Sequence, residues 1–204
     1  PEIFNVVDRF QCPGIVLCDL LLAEGRLGVD PKELNFAPPI DRGELMTSNG
    51  SSDHEPYKRY KITESGVSPR VIPGVPGHTH VVSSDEHDED GVLISDEYTN
   101  AGKRRAMMEK RMRKVDGIAA SVPPPQLLGP ANADVTLIGW GSTYGVIDEA
   151  CELLRDAGIS ANHLPIRWLV PLHGDAILDL LKGAKHTIIV ENNVSGQFAR
   201  YLRS

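Results

Sequence analysis

Between residues 134 and 203 the apolar positions follow two alternating periods. A short β-branched run, Val135-Thr-Leu-Ile138, leads directly into the glycine-rich turn Gly139-Trp-Gly-Ser-Thr-Tyr-Gly145. After the turn, Ile147, Ala150, Cys151 and Leu154 recur at i, i+3, i+4 and i+7, which places them on one helix face. Gly158 stands where a helix stop belongs. A second strand-like piece, residues 161–166, precedes a helix with Ile177, Leu180 and Leu181 on one side, and a third strand is expected over residues 186–190. Strand, helix, strand, helix, strand predicts a parallel sheet covered by helices on its faces. In such sheets the loops at the carboxyl ends of the strands meet ligands and partners. Here those loops are residues 139–145, 167–174 and 191–196.

The N-terminal pattern is shorter. Ile3, Val7 and Phe10 have helical spacing, and Pro13 ends that element. The run Ile15-Val-Leu-Cys-Asp-Leu-Leu-Leu22 reads as a buried strand running into its loop. A helix and a strand cannot bury a core alone, so they are expected to pack on a further segment, on the C-terminal unit or on another subunit. The start at Pro1 in mid-pattern reads as a piece of a longer polypeptide.

Residues 31–130 differ in kind. Pro38, Pro39, Pro56, Pro69, Pro73, Pro76 and Pro123-Pro-Pro125, with interspersed glycines, describe a connector that wraps over its neighbours. Short strands are expected over residues 57–62 and 79–83, and a loop tip over residues 49–53. The connector holds an acidic block, Asp85-Glu-His-Asp-Glu-Asp90, and a basic helix near residues 103–115 with Met108, Met112 and Val115 on one side.

Composition narrows the classes. The 204 residues carry a formal charge of −7 and are 41% hydrophobic, enough for a core. The acidic balance argues against nucleic acid as the main partner, and no apolar run reaches the roughly 20 residues that a membrane span needs. Three scattered cysteines, Cys12, Cys18 and Cys151, form neither a disulfide framework nor a metal-ligand spacing, which fits a reducing cytoplasm.

Several stretches offer chemistry. Gly139-x-Gly141-x-x-x-Gly145 misses the dinucleotide fingerprint by one residue, and the second strand ends in Leu164-Pro-Ile-Arg167 without the ribose-binding acid. Gly139 and Gly141 therefore read as turn formers, with Ser142 or Thr143 capping the helix and its N-terminus open to a phosphate or a partner carboxylate. His78, His80 and His87 with Asp85, Glu86, Asp88 and Glu89 offer metal-ligand types, but consecutive carboxylates describe a solvated loop. The basic helix either docks an acidic partner or pairs with the acidic block upstream. Glu191, Asn192, Asn193, Gly196 and Gln197 sit at a strand's carboxyl end, with Ser195 placed to cap a helix whose face is Phe198, Tyr201 and Leu202. No nucleophile–base pair is evident, and no residue here is assigned a catalytic role.

Ordered blocks carry a resemblance. Gln11-Cys-Pro-Gly-Ile-Val-Leu-Cys-Asp19, Ile40-Asp-Arg-Gly43, Tyr57-Lys-Arg-Tyr60, Gly66-Val-Ser-Pro-Arg70, Glu86-His-Asp-Glu-Asp-Gly91, Lys110-Arg-Met-Arg-Lys114, the 137–145 block and Val190-Glu-Asn-Asn-Val-Ser-Gly-Gln-Phe-Ala199 resemble the alpha subunit of 2-oxoacid:ferredoxin oxidoreductases, closest to the 2-oxoglutarate (KorA-type) branch. The resemblance implies an enzyme that decarboxylates a 2-oxoacid on thiamine diphosphate, passes electrons through an iron–sulfur cluster to ferredoxin and transfers the acyl group to coenzyme A. It implies that residues 1–30 end a pyrimidine-binding domain, that 31–130 form the connector, and that 131–204 form a transketolase C-terminal-like domain. That domain is a three-layer α/β/α sandwich, mostly parallel, often with one antiparallel edge strand. Thiamine diphosphate, Mg2+ and the iron–sulfur cluster are expected on a beta subunit, with none bound by this portion alone. The partners implied are that beta subunit and ferredoxin, in a cytoplasmic hetero-oligomer. Gly139, Gly141, Ser142, Thr143, Glu191, Asn192, Asn193, Gly196 and Gln197 are the candidates for cofactor or interface contact.

Overall fold

The computed structural model describes residues 1–46, 56–82, 85–94 and 100–204. The chain divides into two compact units. One comprises Pro1–Ile15 with Lys32–Ser121, the other Val16–Pro31 with Val122–Ser204.

In the first unit, helix α1 spans Glu2–Phe10 and helix α3 spans Ala101–Ser121; between them lie a short helix α2 (Leu20–Glu24, in the second unit) and the two-residue parallel pair β1 (Leu45–Met46) and β2 (Arg70–Val71). Gln11 closes α1 in the left-handed region at φ 50°. Its side-chain amide donates to Ser68 O, its carbonyl accepts from Lys114 Nζ at 3.0 Å, and its Oε1 accepts from Arg59 at 2.7 Å. Phe10 is buried against Gly117 of α3, where an added Cβ would stand 2.9 Å from the ring.

The basic helix is longer than its charge run and turns a different face inward. Met108, Met112 and Val115 are exposed, while Met107 and Lys110 are buried. The cause is the connector segment that lies on α3. Lys110 Nζ donates to Tyr60 O at 2.9 Å and Ser68 Oγ at 2.6 Å, and the glycine at 66, with φ +78°, approaches so closely that a Cβ would meet Lys110 O at 2.3 Å. The strands expected over residues 57–62 and 79–82 are absent. Tyr57–Ile62 is instead a turn held by side chains, and Thr79–Val82 is irregular. The loop tip expected over residues 49–53 and the end of the second strand at Ser83 lie outside the described residues. The acidic block does pair with the basic helix: Lys103 with Asp88 at 2.8 Å, Arg104 with Glu86 at 3.1 Å and Arg111 with Glu86 at 3.5 Å. Glu89 pairs with Lys58 at 2.9 Å.

The second unit holds the sheet. Strands β3 (Val135–Gly139), β4 (Ala161–Pro165) and β5 (His186–Ile189) run parallel in the order β4-β3-β5. Helices α4 (Thr143–Asp156), α5 (Gly174–Leu181) and α6 (Gln197–Arg203) alternate with them. Strand residues point alternately to opposite faces, and two clusters follow. Leu137 and Ala161 pack under Ile147 and Cys151 of α4, whereas Ile138, Leu164 and Ile166 pack under Ile177 of α5 and Phe198 of α6. The result is three layers, α4 on one side and α5 with α6 on the other. The antiparallel edge strand suggested by resemblance is reduced to one bridge, Leu128 with His163, on the free side of β4.

The run 15–22 departs from expectation. It forms no strand. Asp19 caps α2 instead, and Val16, Leu17, Leu20, Leu21 and Leu22 are between 49% and 72% exposed. A strand is made by the neighbour it bonds to, and among the described residues none stands beside this run.

Candidate functional site

Three loops gather at the carboxyl ends of the strands, and each is shaped by local chemistry. In the first, Gly139 lies where a Cβ would come within 2.3 Å of Ile147 Cδ1 and 2.6 Å of Thr143 Oγ1, so a side chain there would displace both at the start of α4. Gly141 turns the chain at φ +63°. Neither hydroxyl caps α4. Thr143 Oγ1 donates to Trp140 O at 3.0 Å, and Ser142, in the N-cap position, donates its hydroxyl to the Asp19 carboxylate instead. The other oxygen of Asp19 accepts the Leu22 amide at 3.0 Å. The Ser142 hydroxyl, followed by the Leu22 amide, holds the Asp19 carboxyl below its ordinary value.

A helix N-terminus carries partial positive charge and favours an anion. Here the anion beside it is a carboxylate of the chain's own. A pyrophosphate at this turn would have to displace Asp19, and the end of β4 still offers Arg167 rather than an acid. The dinucleotide alternative loses its cradle on both counts.

In the third loop the caps are again not the expected ones. Ser195 donates to Asn193 Oδ1 at 3.1 Å and leaves α6 uncapped by its own hydroxyl. The first amides of α6 are taken from further back. Glu191 accepts from Phe198 N at 2.9 Å and Ala199 N at 3.2 Å, and Asn193 accepts from Gln197 N at 3.0 Å. Asn193 also donates its side-chain amide to Glu191. Desolvation pushes the Glu191 carboxyl up, but the Phe198 and Ala199 amides and the Asn193 amide outweigh it and leave the group below its ordinary value. Gly196 supplies the left-handed turn at φ +62°. Tyr201 of α6 donates to Leu169 O and so joins the third loop to the second.

Because β5 and β4 flank β3, the bases of the three loops stand side by side: Val190 N donates to Ile138 O at 2.8 Å and Ile166 N to Gly139 O at 2.9 Å. Of the candidate residues, Gly139, Gly141, Thr143 and Gly196 shape the turns, while Ser142, Glu191 and Asn193 are engaged within the unit. Asn192 is exposed on the third loop and Gln197 at the start of α6. Beside them the structure adds Val194, a fully exposed apolar side chain at the loop tip. The sequence carried no signal for the Asp19–Ser142 bond, which joins residues 123 positions apart.

Glu191→Gln is expected to loosen α6. Amide exchange at Phe198 and Ala199 should quicken, because the neutral amide is a weaker acceptor than the carboxylate. The wild-type bond is present above the ordinary carboxyl range and is lost as pH falls through the lowered value, so the protection should also fade in acid. Unchanged exchange at both amides would show that α6 is anchored elsewhere.

The resemblance places Mg2+ and the iron–sulfur cluster on a beta subunit. An all-cysteine iron–sulfur cluster takes four thiolates, and the chain has three, of which Cys151 is buried under α4. Among the described residues no group of three or more His, Cys, Asp or Glu side chains is placed to hold a metal ion. Nor, among them, is any helix long and apolar enough to cross a membrane.

Residues 127–200 match the transketolase C-terminal domain family, in agreement with the three layers described above. The particular relatives are alpha subunits of 2-oxoacid:ferredoxin oxidoreductases. The chain is 37% identical over 205 residues to subunit alpha of 2-oxoacid:ferredoxin oxidoreductase 2 from Aeropyrum pernix, covering 98% of this chain and 30% of that protein. It is 31% identical over 203 residues to the 2-oxoglutarate oxidoreductase subunit KorA from Mycobacterium tuberculosis, covering 99% of this chain and 29% of the relative. Among solved structures, a 2-oxoglutarate:ferredoxin oxidoreductase from Magnetococcus marinus with 2-oxoglutarate, coenzyme A and succinyl-CoA bound matches with a TM-score of 0.79 at 27% identity, over 98% of this chain and 33% of that one. The relatives are thus subunits of oxidoreductases, and the chain spans about a third of their length.

Proposed function

We propose that residues 1–204 are part of the alpha subunit of a 2-oxoglutarate:ferredoxin oxidoreductase, which converts 2-oxoglutarate, CoA and oxidised ferredoxin to succinyl-CoA, CO2 and reduced ferredoxin. The observation that carries this is the match to the Magnetococcus marinus enzyme over 98% of the chain. In this role the chain owns no catalytic group. Residues 1–30 end a pyrimidine-binding domain, 31–130 connect, and 131–204 set the loop edge against a site assembled with a beta subunit. Thiamine diphosphate, Mg2+ and the iron–sulfur cluster belong to that partner, CoA is a co-substrate, and the assembly works in the cytoplasm. The contribution of the C-terminal unit is geometric. It holds other groups in place and helps exclude water from a reactive carbanion.

A related substrate is the second reading, because the chain is 31% identical over 64 residues to a ketoisovalerate oxidoreductase subunit VorA from Pyrococcus abyssi. Pyruvate belongs to the same alternative. The test is to produce the intact alpha subunit with its beta partner and follow viologen reduction with 2-oxoglutarate, pyruvate and 2-oxoisovalerate, each with and without CoA. Reduction that depends on CoA and is fastest with 2-oxoglutarate is expected. Reduction with another 2-oxoacid alone moves the substrate assignment, and none with any removes the oxidoreductase role.

A further inference from the structure

In the first unit, three cations converge on a pair of neutral residues. Arg59 Nη1 donates to Gln11 Oε1 at 2.7 Å and Lys114 Nζ to Gln11 O at 3.0 Å. The Gln11 side-chain amide donates to Ser68 O, and Ser68 Oγ accepts from Lys110 Nζ at 2.6 Å. Lys110 and Arg111 precede Lys114 on α3 by four and three residues, so both are its neighbours on the helix surface. The acids of this unit are engaged elsewhere: Glu86 with Arg104 and Arg111, Asp88 with Lys103, and Glu89 and Asp90 with Lys58. Among the described residues Arg59, Lys110 and Lys114 have no carboxylate at ion-pair distance; carbonyl, amide and hydroxyl oxygens hold them. Like charges gathered without a counterion repel. Burial, and then the neighbouring cations, lowers the Lys110 amine; burial also leads at Lys114, where Cys12 opposes and Arg59 and Arg111 add.

We propose that Arg59 and Lys114 bind a phosphate group, with Lys110 and Arg111 adding positive potential around it. Lys110 is buried, whereas Arg59 and Lys114 are only half-buried. The Arg59 nitrogens that make no hydrogen bond are not among the sealed polar atoms, so they can meet a ligand. A guanidinium and an ammonium beside one another suit a tetrahedral group with several acceptor oxygens, because the fork takes two of them and the point charge a third. A doubly charged phosphate also offsets more of the repulsion than a carboxylate does. The chain as a whole carries −7, so general attraction does not draw anions to it and the cluster is a local exception. The proposal does not rest on the oxidoreductase reading.

Inorganic phosphate, ribose 5-phosphate and acetate are titrated into the chain by calorimetry, with ionic strength held at about 0.15 M so that screening is constant. Phosphate is expected to bind at least about tenfold more tightly than acetate. Lys114→Gln and Arg59→Gln should each weaken it by about tenfold, while Lys114→Arg, which keeps the charge, restores binding. Lys185→Gln, which removes a cation of the second unit, should change nothing. A second reading needs no loss of charge: the Arg59 Nε–H resonance, assigned with Arg59→Lys, should move on adding phosphate while that of Arg155 stays. Ribose 5-phosphate bound as tightly as the free ion assigns the site to phosphomonoesters, and its failure to bind assigns it to inorganic phosphate. The proposal is overturned if neither phosphate binds below about 10 mM, if acetate binds equally, or if Lys185→Gln weakens binding as much as Lys114→Gln. A still Arg59 resonance overturns it as well.

Discussion

Leu164→Ala lowers the unfolding free energy of the second unit by about 2–5 kcal/mol, the range for truncating a fully buried leucine. This is the largest stability effect expected in the chain. Leu164 is 0% exposed in β4 and packs with Ile138, Ile166, Ile177 and Phe198. The cavity would be bounded by the sheet on one side and by two helices on the other, elements that cannot collapse together without breaking strand pairing. Two of the strand-end loops depend on the same cluster. Phe198 seats α6 behind the third loop, and Ile166 and Ile177 flank the second. Urea unfolding followed by far-ultraviolet circular dichroism measures the loss. A change below about 1 kcal/mol would mean that the layers are not packed as described.

The second large effect is one of pH. Burial, followed by repulsion from Lys114, Arg59 and Arg111, pushes the Lys110 amine down from its ordinary 10.5 to about 8. Glu89 opposes this only weakly, so the cation is held mainly by Tyr60 O and Ser68 Oγ. The folded chain therefore releases a proton that the unfolded chain keeps between about pH 8 and 10.5. Stability rises with pH wherever the unfolded state binds more protons. The cost of the charged amine is fully present below about pH 8 and is relieved as the pH climbs through that window, by about 3 kcal/mol at the top. Lys114 is lowered chiefly by desolvation as well and adds in the same direction. Lys110→Met keeps the Lys114 share and loses the rest, so the difference between wild type and variant should grow in favour of wild type from pH 8 to 10.5. Parallel stability curves for the two would contradict a buried, destabilised cation.

The sandwich was legible because its signals are local. The β-branched run 135–138, the helical recurrence from Ile147 to Leu154 and the stop at Gly158 each depend on near neighbours, and β3, α4 and β4 appear within a residue or two of their expected bounds. Position at the carboxyl edge followed from the same order. The side-chain roles at that edge did not. Ser142 and Ser195 have the composition of caps, yet a hydroxyl goes to whichever acceptor the fold brings nearest, here Asp19 and Asn193. The carboxylate of Glu191, seven and eight positions back, outcompetes the serine for the amides of α6. The misread face of α3 has the same origin. Met108, Met112 and Val115 form a plausible apolar stripe, but the covering segment 60–68 lies on the opposite side and takes Lys110 with it. The run 15–22 was apolar enough to be a strand, but a strand needs a bonded neighbour, which a single segment of sequence cannot specify.

On the function proposed above, the loop edge is a surface that positions chemistry held by other segments. Val194 tests it most directly. It is fully exposed at the tip of the third loop, so Val194→Asp should leave the chain's melting temperature unchanged. In the intact alpha subunit paired with its beta partner, a charge at a buried contact is costly, and a small misplacement lowers the rate on the order of tenfold to a hundredfold. The deciding measurement is kcat for 2-oxoglutarate-dependent viologen reduction by the wild-type and Val194→Asp pairs. A fall in kcat without a change in melting is expected; equal kcat in the two would contradict a positioning role for this edge.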